Sequence, residues 1–112
     1  MVLLSDELTE YLDRHCETED ELLKHINRET HLKVLMPRML SGHYQGRVLS
    51  MLSKIIRPKR ILEIGTFTGY ATLCLAEGLS EKGVLHTIDI NPELEDMVRE
   101  HFSRSNLNQQ IT

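Results

Sequence analysis

Apolar residues along this chain fall into helical stripes and short unbroken runs, and the order of the two predicts the fold. Ser5 to Arg14 reads as a helix, with Ser5 as its cap, Asp6 and Glu7 in the first turn, and Leu8, Tyr11 and Leu12 as one stripe. Thr18-Glu-Asp-Glu21 has the spacing of a capping box and opens a second helix through Leu22, Leu23, Ile26 and Thr30, reaching as far as Val34. Pro37 ends that segment. Residues 39–46 read as a loop running into a third helix, where Val48, Leu49, Leu52, Ile55 and Ile56 repeat at helical spacing and form one apolar face. Arg57-Pro58 stops it.

A different pattern follows. Ile61, Leu62 and Ile64 form a short apolar run that breaks at Gly65; Gly69 comes next, and then a helical pattern through Leu73, Ala76 and Leu79. Val84, Leu85, Thr87 and Ile88 make a second run ending at Asp89. Asn91 and Pro92 start a last helix, with Leu94, Met97, Val98 and Phe102 as its buried face, and residues 103–110 are polar. The fold class is therefore α/β. Amino-terminal helices precede the first right-handed βαβ unit of a Rossmann-like sheet, with parallel strands at about 60–65 and 84–89 and a third starting at 110. Residues 1–36 form a helical amino-terminal segment and 37–112 the sheet domain. The helices of the first segment either cover the domain's own sheet or form an interaction arm or lid.

The strand-to-helix corner carries the chemistry. Glycine reaches positive φ cheaply and lets a ligand approach the backbone, so Gly65 and Gly69 mark a turn over the carboxyl end of a strand, where parallel sheets bind ligands. Asp89, at the tip of the next strand, is placed to accept hydrogen bonds from the two hydroxyls of a ribose. Together they suggest an adenosine-bearing cofactor. The turn reads E-x-G-x-x-x-G from Glu63, without the middle glycine that admits a pyrophosphate in the dinucleotide fingerprint. A carboxylate at its mouth repels phosphate and favours a cationic ligand.

This turn resembles motif I of class I S-adenosylmethionine-dependent methyltransferases. Three segments, Met39-Leu-Ser-Gly-His-Tyr-Gln-Gly-Arg47, Leu62-Glu-Ile-Gly-Thr-Phe-Thr-Gly-Tyr70 and His86-Thr-Ile-Asp-Ile-Asn-Pro92, together resemble the catechol and caffeoyl-coenzyme A O-methyltransferases and their bacterial relatives. The resemblance runs from about Met39 to Thr112. It implies an S-adenosyl-L-methionine site built from Ser41 and Gly42 (a carboxylate-binding loop), Glu63, the turn residues Gly65, Thr66, Phe67 and Gly69, Tyr70 and Ala71 at the following helix start, Asp89 for the ribose, and Ile90 against the adenine. Ile90 reads equally as an ordinary core isoleucine. Relatives often carry serine where Ala71 stands, which leaves Thr68 or Thr72 to supply the missing hydroxyl and implies weaker cofactor binding. The resemblance also implies methyl transfer to the hydroxyl of a small molecule, with a divalent metal such as magnesium held by acidic residues beyond Thr112. No catalytic residue and no metal ligand is assigned within this chain.

Composition narrows this in three ways. The family resembled has a seven-stranded sheet and about twice the 112 residues present, so the chain is expected to be the amino-terminal part of a longer protein, or a shortened form of one, with little activity of its own. A net charge of −4 argues against a nucleic-acid surface. No run approaches the roughly 20 apolar residues of a membrane span, Met1-Val-Leu-Leu4 is too short for a leader's apolar core, and Cys16 and Cys74 have no metal or redox spacing, so a cytoplasmic protein is expected. Of the histidines, His43 lies nearest the presumed site and could touch substrate. A homodimer stays open, as do two other classes: an NAD(P)-type Rossmann oxidoreductase fragment, and a non-catalytic helical interaction or oligomerisation module.

Overall fold

A computed structural model describes residues 4–112, so all but Leu4 of the stretch weighed above as a leader lies outside the described residues. Helix α1 (Asp6–His15) is capped by Ser5, whose hydroxyl accepts the Leu8 amide. Helix α2 (Glu21–Lys33) starts two residues later than the capping box predicts. Its cap is Asp20, because that carboxylate accepts both the Leu22 amide, at 3.0 Å, and the Leu23 amide, at 3.4 Å. A short 3-10 turn at Pro37–Met39 leads into α3 (Gly42–Ile56).

Strand β1 (Arg60–Ile64), helix α4 (Tyr70–Ala76) and strand β2 (Val84–Ile88) form the βαβ unit. The strands are parallel, with Glu63 beside Thr87 and Ile61 beside Leu85. A third strand begins on the far side of β2, where Ile111 bridges to Leu85 and the Thr112 amide donates to the Leu85 carbonyl at 2.8 Å. Between them, Asn91 caps a 3-10 turn at Pro92–Leu94, and α5 (Glu95–Ser103) follows.

The core lies on one side of the sheet, where Leu23 and Ile26 of α2 meet Tyr70, Leu73 and Cys74 of α4 and Val98 and Phe102 of α5. Burying each such large side chain contributes about 1.5–3 kcal/mol. Helix α2 therefore packs into the same core as the sheet's covering helices, whereas α1 buries no residue.

Helix α3 departs from the expected packing. Most of its apolar face looks outward: Ile55 is 73% exposed, and Val48, Leu52 and Ile56 are exposed as well, while Leu49 is half-buried against the core. The buried face is made of Gly46, Ser50 and Ser53. The reason is the closeness of α3 to α4. A Cβ on Gly46 would lie 2.8 Å from Cys74 Sγ and 2.9 Å from the Tyr70 ring, and one on Gly78 would run into the Ser53 backbone. Only small residues fit, and their hydroxyls are used: Ser53 donates to the Leu75 carbonyl at 2.6 Å and Ser50 to Glu77 at 2.5 Å.

Candidate functional site

The corner after β1 folds as the glycine spacing demands. Gly65 has φ +100° and Gly69 has φ +89°, both in the left-handed region. Gly69 has a second constraint, since a Cβ there would sit 2.6 Å from the Phe102 ring. Phe67, between them, also takes positive φ, at +50°, which is uncommon for a residue with a side chain. The Gly65 amide donates to the Ile88 carbonyl at 2.7 Å, which ties the turn to the end of β2.

A cleft of about 540 Å³ opens along the carboxyl end of β2, between this turn and α5. That volume is ordinary for a small-molecule pocket, roughly 300–1,000 Å³. Four of the residues named from the sequence line it: Thr66, Phe67, Asp89 and Ile90. Asp89 is anchored rather than loose. Its Oδ2 accepts the Phe67 amide at 2.8 Å and its Oδ1 the Asn91 amide at 2.9 Å. These backbone donors hold its carboxyl below the usual range. Each oxygen keeps a lone pair, as a two-hydroxyl ligand requires.

Glu63 stands one residue behind the cleft wall. Its Oε1 accepts from the Thr87 hydroxyl at 2.7 Å and from the Thr72 hydroxyl. Thr87 shares a 2.6 Å bond with Thr66, and both threonines line the cleft. Burial raises the Glu63 carboxyl above its ordinary value; the two threonine hydroxyls oppose that, and the nearby Asp89 charge adds to it. Glu63 and Asp89 therefore serve one pocket, one at its rim and one through a relay of two hydroxyls. Among the described residues Arg99 is the one cation in the lining, and it is paired with Glu95 through Nε at 2.9 Å and Nη2 at 2.8 Å. The pocket is thus biased towards cations and against phosphate.

The remaining residues named from the sequence lie elsewhere. Ser41 and Gly42 begin α3, outside the cleft lining. Ala71 is half-buried in the first turn of α4. The Tyr70 side chain turns away from the cleft, and its hydroxyl donates to Glu19 at 2.6 Å. Burial, and then that carboxylate, push its pKa upward. Thr68 and Thr72 are fully buried and already bonded, to Thr30 and Glu63 respectively, so neither hydroxyl is free for a ligand. His43 Nε2 donates to the Glu17 carbonyl at 2.7 Å, in the link between α1 and α2. Sequence reasoning missed Thr87, although alternation along β2 places it on the face of Glu63. It also missed the α5 wall, which a surface-like charge pattern at Glu95 and Arg99 conceals. Among the described residues, no group of three or more His, Cys, Asp and Glu side chains is placed to hold a metal ion.

Comparison with known proteins decides the family. The family described as O-methyltransferase matches residues 13–112. This chain belongs to the O-methyltransferase family. Family relatives include a catechol O-methyltransferase of Niastella koreensis, 32% identical over 76 residues, spanning 68% of this chain and 34% of the relative. A putative caffeoyl-CoA O-methyltransferase of Arabidopsis thaliana is 36% identical over 94 residues, spanning 83% of this chain and 40% of that protein. Among solved family structures, an O-methyltransferase from Bacillus cereus in complex with SAH superposes with a TM-score of 0.83 at 30% identity, over 94% of this chain and 47% of its own. An O-methyltransferase from Streptomyces achromogenes, in complex with SAM, gives 0.84 at 26% identity over 95% and 47%. The chain thus has the family's Rossmann-like α/β architecture and spans less than half the length of these members.

Proposed function

We propose that this chain is the cofactor-binding part of an S-adenosylmethionine-dependent O-methyltransferase acting on the hydroxyl of a small molecule. One observation carries the reading: Asp89, just past the end of β2, and Glu63 of β1, acting through Thr87 and Thr66, converge on one cleft above a double-glycine turn. The solved relatives bound to SAM and SAH support it. In this reading Asp89 receives the ribose hydroxyls, Ile90 offers its 97%-exposed side chain to the adenine, and the Glu63–Thr87 relay supplies negative potential near the sulfonium. The turn holds the cofactor with backbone that no side chain obstructs at Gly65. S-adenosylmethionine, when bound, supplies an electrophilic methyl for in-line displacement by a hydroxyl oxygen.

The chain's own residues orient the donor, and no residue in it is assigned to deprotonate the acceptor. The described residues form no metal site, and no role is assigned to a metal within them. We therefore expect the 112-residue chain to turn over a catechol with magnesium slowly or not at all; normal turnover would refute that division of labour. A thermal-shift comparison tests the cofactor assignment, because only a ligand that binds the folded state stabilises it. S-adenosylhomocysteine at 100 times its Kd should raise stability by about 2.7 kcal/mol, with NAD inert. The opposite ranking would favour a dinucleotide-binding oxidoreductase fragment.

A further inference from the structure

Thr68 sits at the centre of the turn, between two residues of positive φ, Phe67 and Gly69, and is gripped from both sides. Its hydroxyl shares a 3.0 Å bond with Thr30 of α2. The Thr30 hydroxyl is the donor, and its one proton is shared between Thr68 and the Ile26 carbonyl, 2.6 Å away. On the other side, the Thr68 carbonyl lies 2.8 Å from His101 Nδ1. A carbonyl only accepts, so that nitrogen carries the proton and the tautomer is fixed. His101 is fully buried on α5, edge-on to His25 of α2 with ring centroids 5.9 Å apart. The next residue, Phe102, is the ring that lies against Gly69. Two neighbouring α5 residues therefore hold two neighbouring turn residues.

Unusual backbone persists only where its surroundings over-determine it. Here the determination comes from outside the turn, from α2 and α5. We propose that Thr30 and His101 are positioning residues for the cofactor turn, acting through Thr68 to hold the Phe67 amide on Asp89 and so to fix the geometry of the ribose carboxylate. This rests on the cofactor reading above. Neither residue lines the cleft, and their effect on binding is transmitted by the turn. A histidine whose only task is to fill the core needs no N–H; a positioning histidine needs one at Nδ1.

The test uses the 112-residue chain with His101→Leu, which fills space without a donor, His101→Asn, which returns an N–H close to Nδ1, and Thr30→Val, which removes only a hydroxyl. S-adenosylhomocysteine is titrated calorimetrically, and exchange of the Phe67 and Gly69 amides is followed without ligand. Those amides bond to Asp89 and to the Thr66 carbonyl, so they report the turn directly. We expect His101→Leu to weaken binding about tenfold and to speed exchange at both amides. His101→Asn should return affinity to within about threefold of the parent, and Thr30→Val should weaken it about threefold. Equal affinity for the Leu and Asn variants, weak or strong, would overturn the proposal. If His101→Leu fails to fold, an unchanged affinity in Thr30→Val overturns it instead. If the parent chain itself binds no S-adenosylhomocysteine, the cofactor reading fails, and amide exchange decides the positioning role. Loosening confined to residues 66–69 and reversed by Asn upholds it; uniform or absent loosening overturns it.

Discussion

The two faces of the β1–β2 pair are built from alternate residues of the same ten, and they behave oppositely. On one face Ile61, Glu63, Leu85 and Thr87 are buried or half-buried. On the other, Leu62 is 64% exposed, Ile64 82% and Ile88 56%. A carboxylate is thus more enclosed than the isoleucine that follows it. Hydrophobicity alone did not sort these positions; the cover did, since α4 lies on the first face and no described element covers the second. The lesson concerns function. A charged group on the packed face bears a desolvation cost that an apolar residue would avoid, and the proposed cofactor role of Glu63, whose hydroxyl relay ends at the cleft, would account for it.

If cover decides, the largest effect belongs to Leu85, which is fully buried at the centre of the packed face. Leu85→Ala should cost about 3 kcal/mol in urea unfolding. A loss below about 1 kcal/mol would mean the two faces are energetically alike. Gly69→Ala comes next, at about 2 kcal/mol, from its positive φ and its contact with Phe102. Adding Phe102→Leu should recover the steric share but not the backbone share. Asp89→Ala, at the exposed rim, should change stability by only about 1 kcal/mol while lowering S-adenosylhomocysteine affinity roughly tenfold to a hundredfold in calorimetry.

The pH dependence follows from His101. Burial holds its pKa below the ordinary value of 6.5, and the neighbouring His25 pushes the same way, while the Thr68 carbonyl, Glu100 and Glu29 oppose them. The unfolded chain then binds the proton more readily than the folded one, so stability is full above pH 6.5 and falls as pH drops through that value towards the depressed one. Urea midpoints at pH 7.5 and 5.5 should show the loss, and His101→Asn should flatten it. The smallest effect is expected on the open face: Ile64→Ser should move stability by no more than about 0.5 kcal/mol and reduce self-association in sedimentation.

Much of this architecture is legible in the sequence, and the failures have physical causes. The strand, double-glycine turn and helix are readable because Gly65 and Gly69 are needed for backbone reasons that few other residues meet. Asp89 is readable from its place after the second apolar run. The outward face of α3 was not, because periodicity reports where apolar residues are and not whether anything covers them. Its true contact face depends on Gly46 and Ser53 meeting Tyr70, Cys74 and Gly78, a fact of close approach. His101 was passed over for a similar reason. Its partner, Thr68, lies 33 residues away in sequence, and no local pattern announces the pair.

The central claim is that the cleft above the glycine turn grips an adenosine sulfonium through Asp89, with Glu63 behind it. Titrating isotope-labelled chain with S-adenosylmethionine and following backbone amide shifts tests it directly. The account predicts saturable shifts concentrated at residues 65–69 and 87–91, abolished by Asp89→Ala. Shifts centred instead on Leu62, Ile64 and Ile88 of the open face, or unaltered by Asp89→Ala, would contradict it.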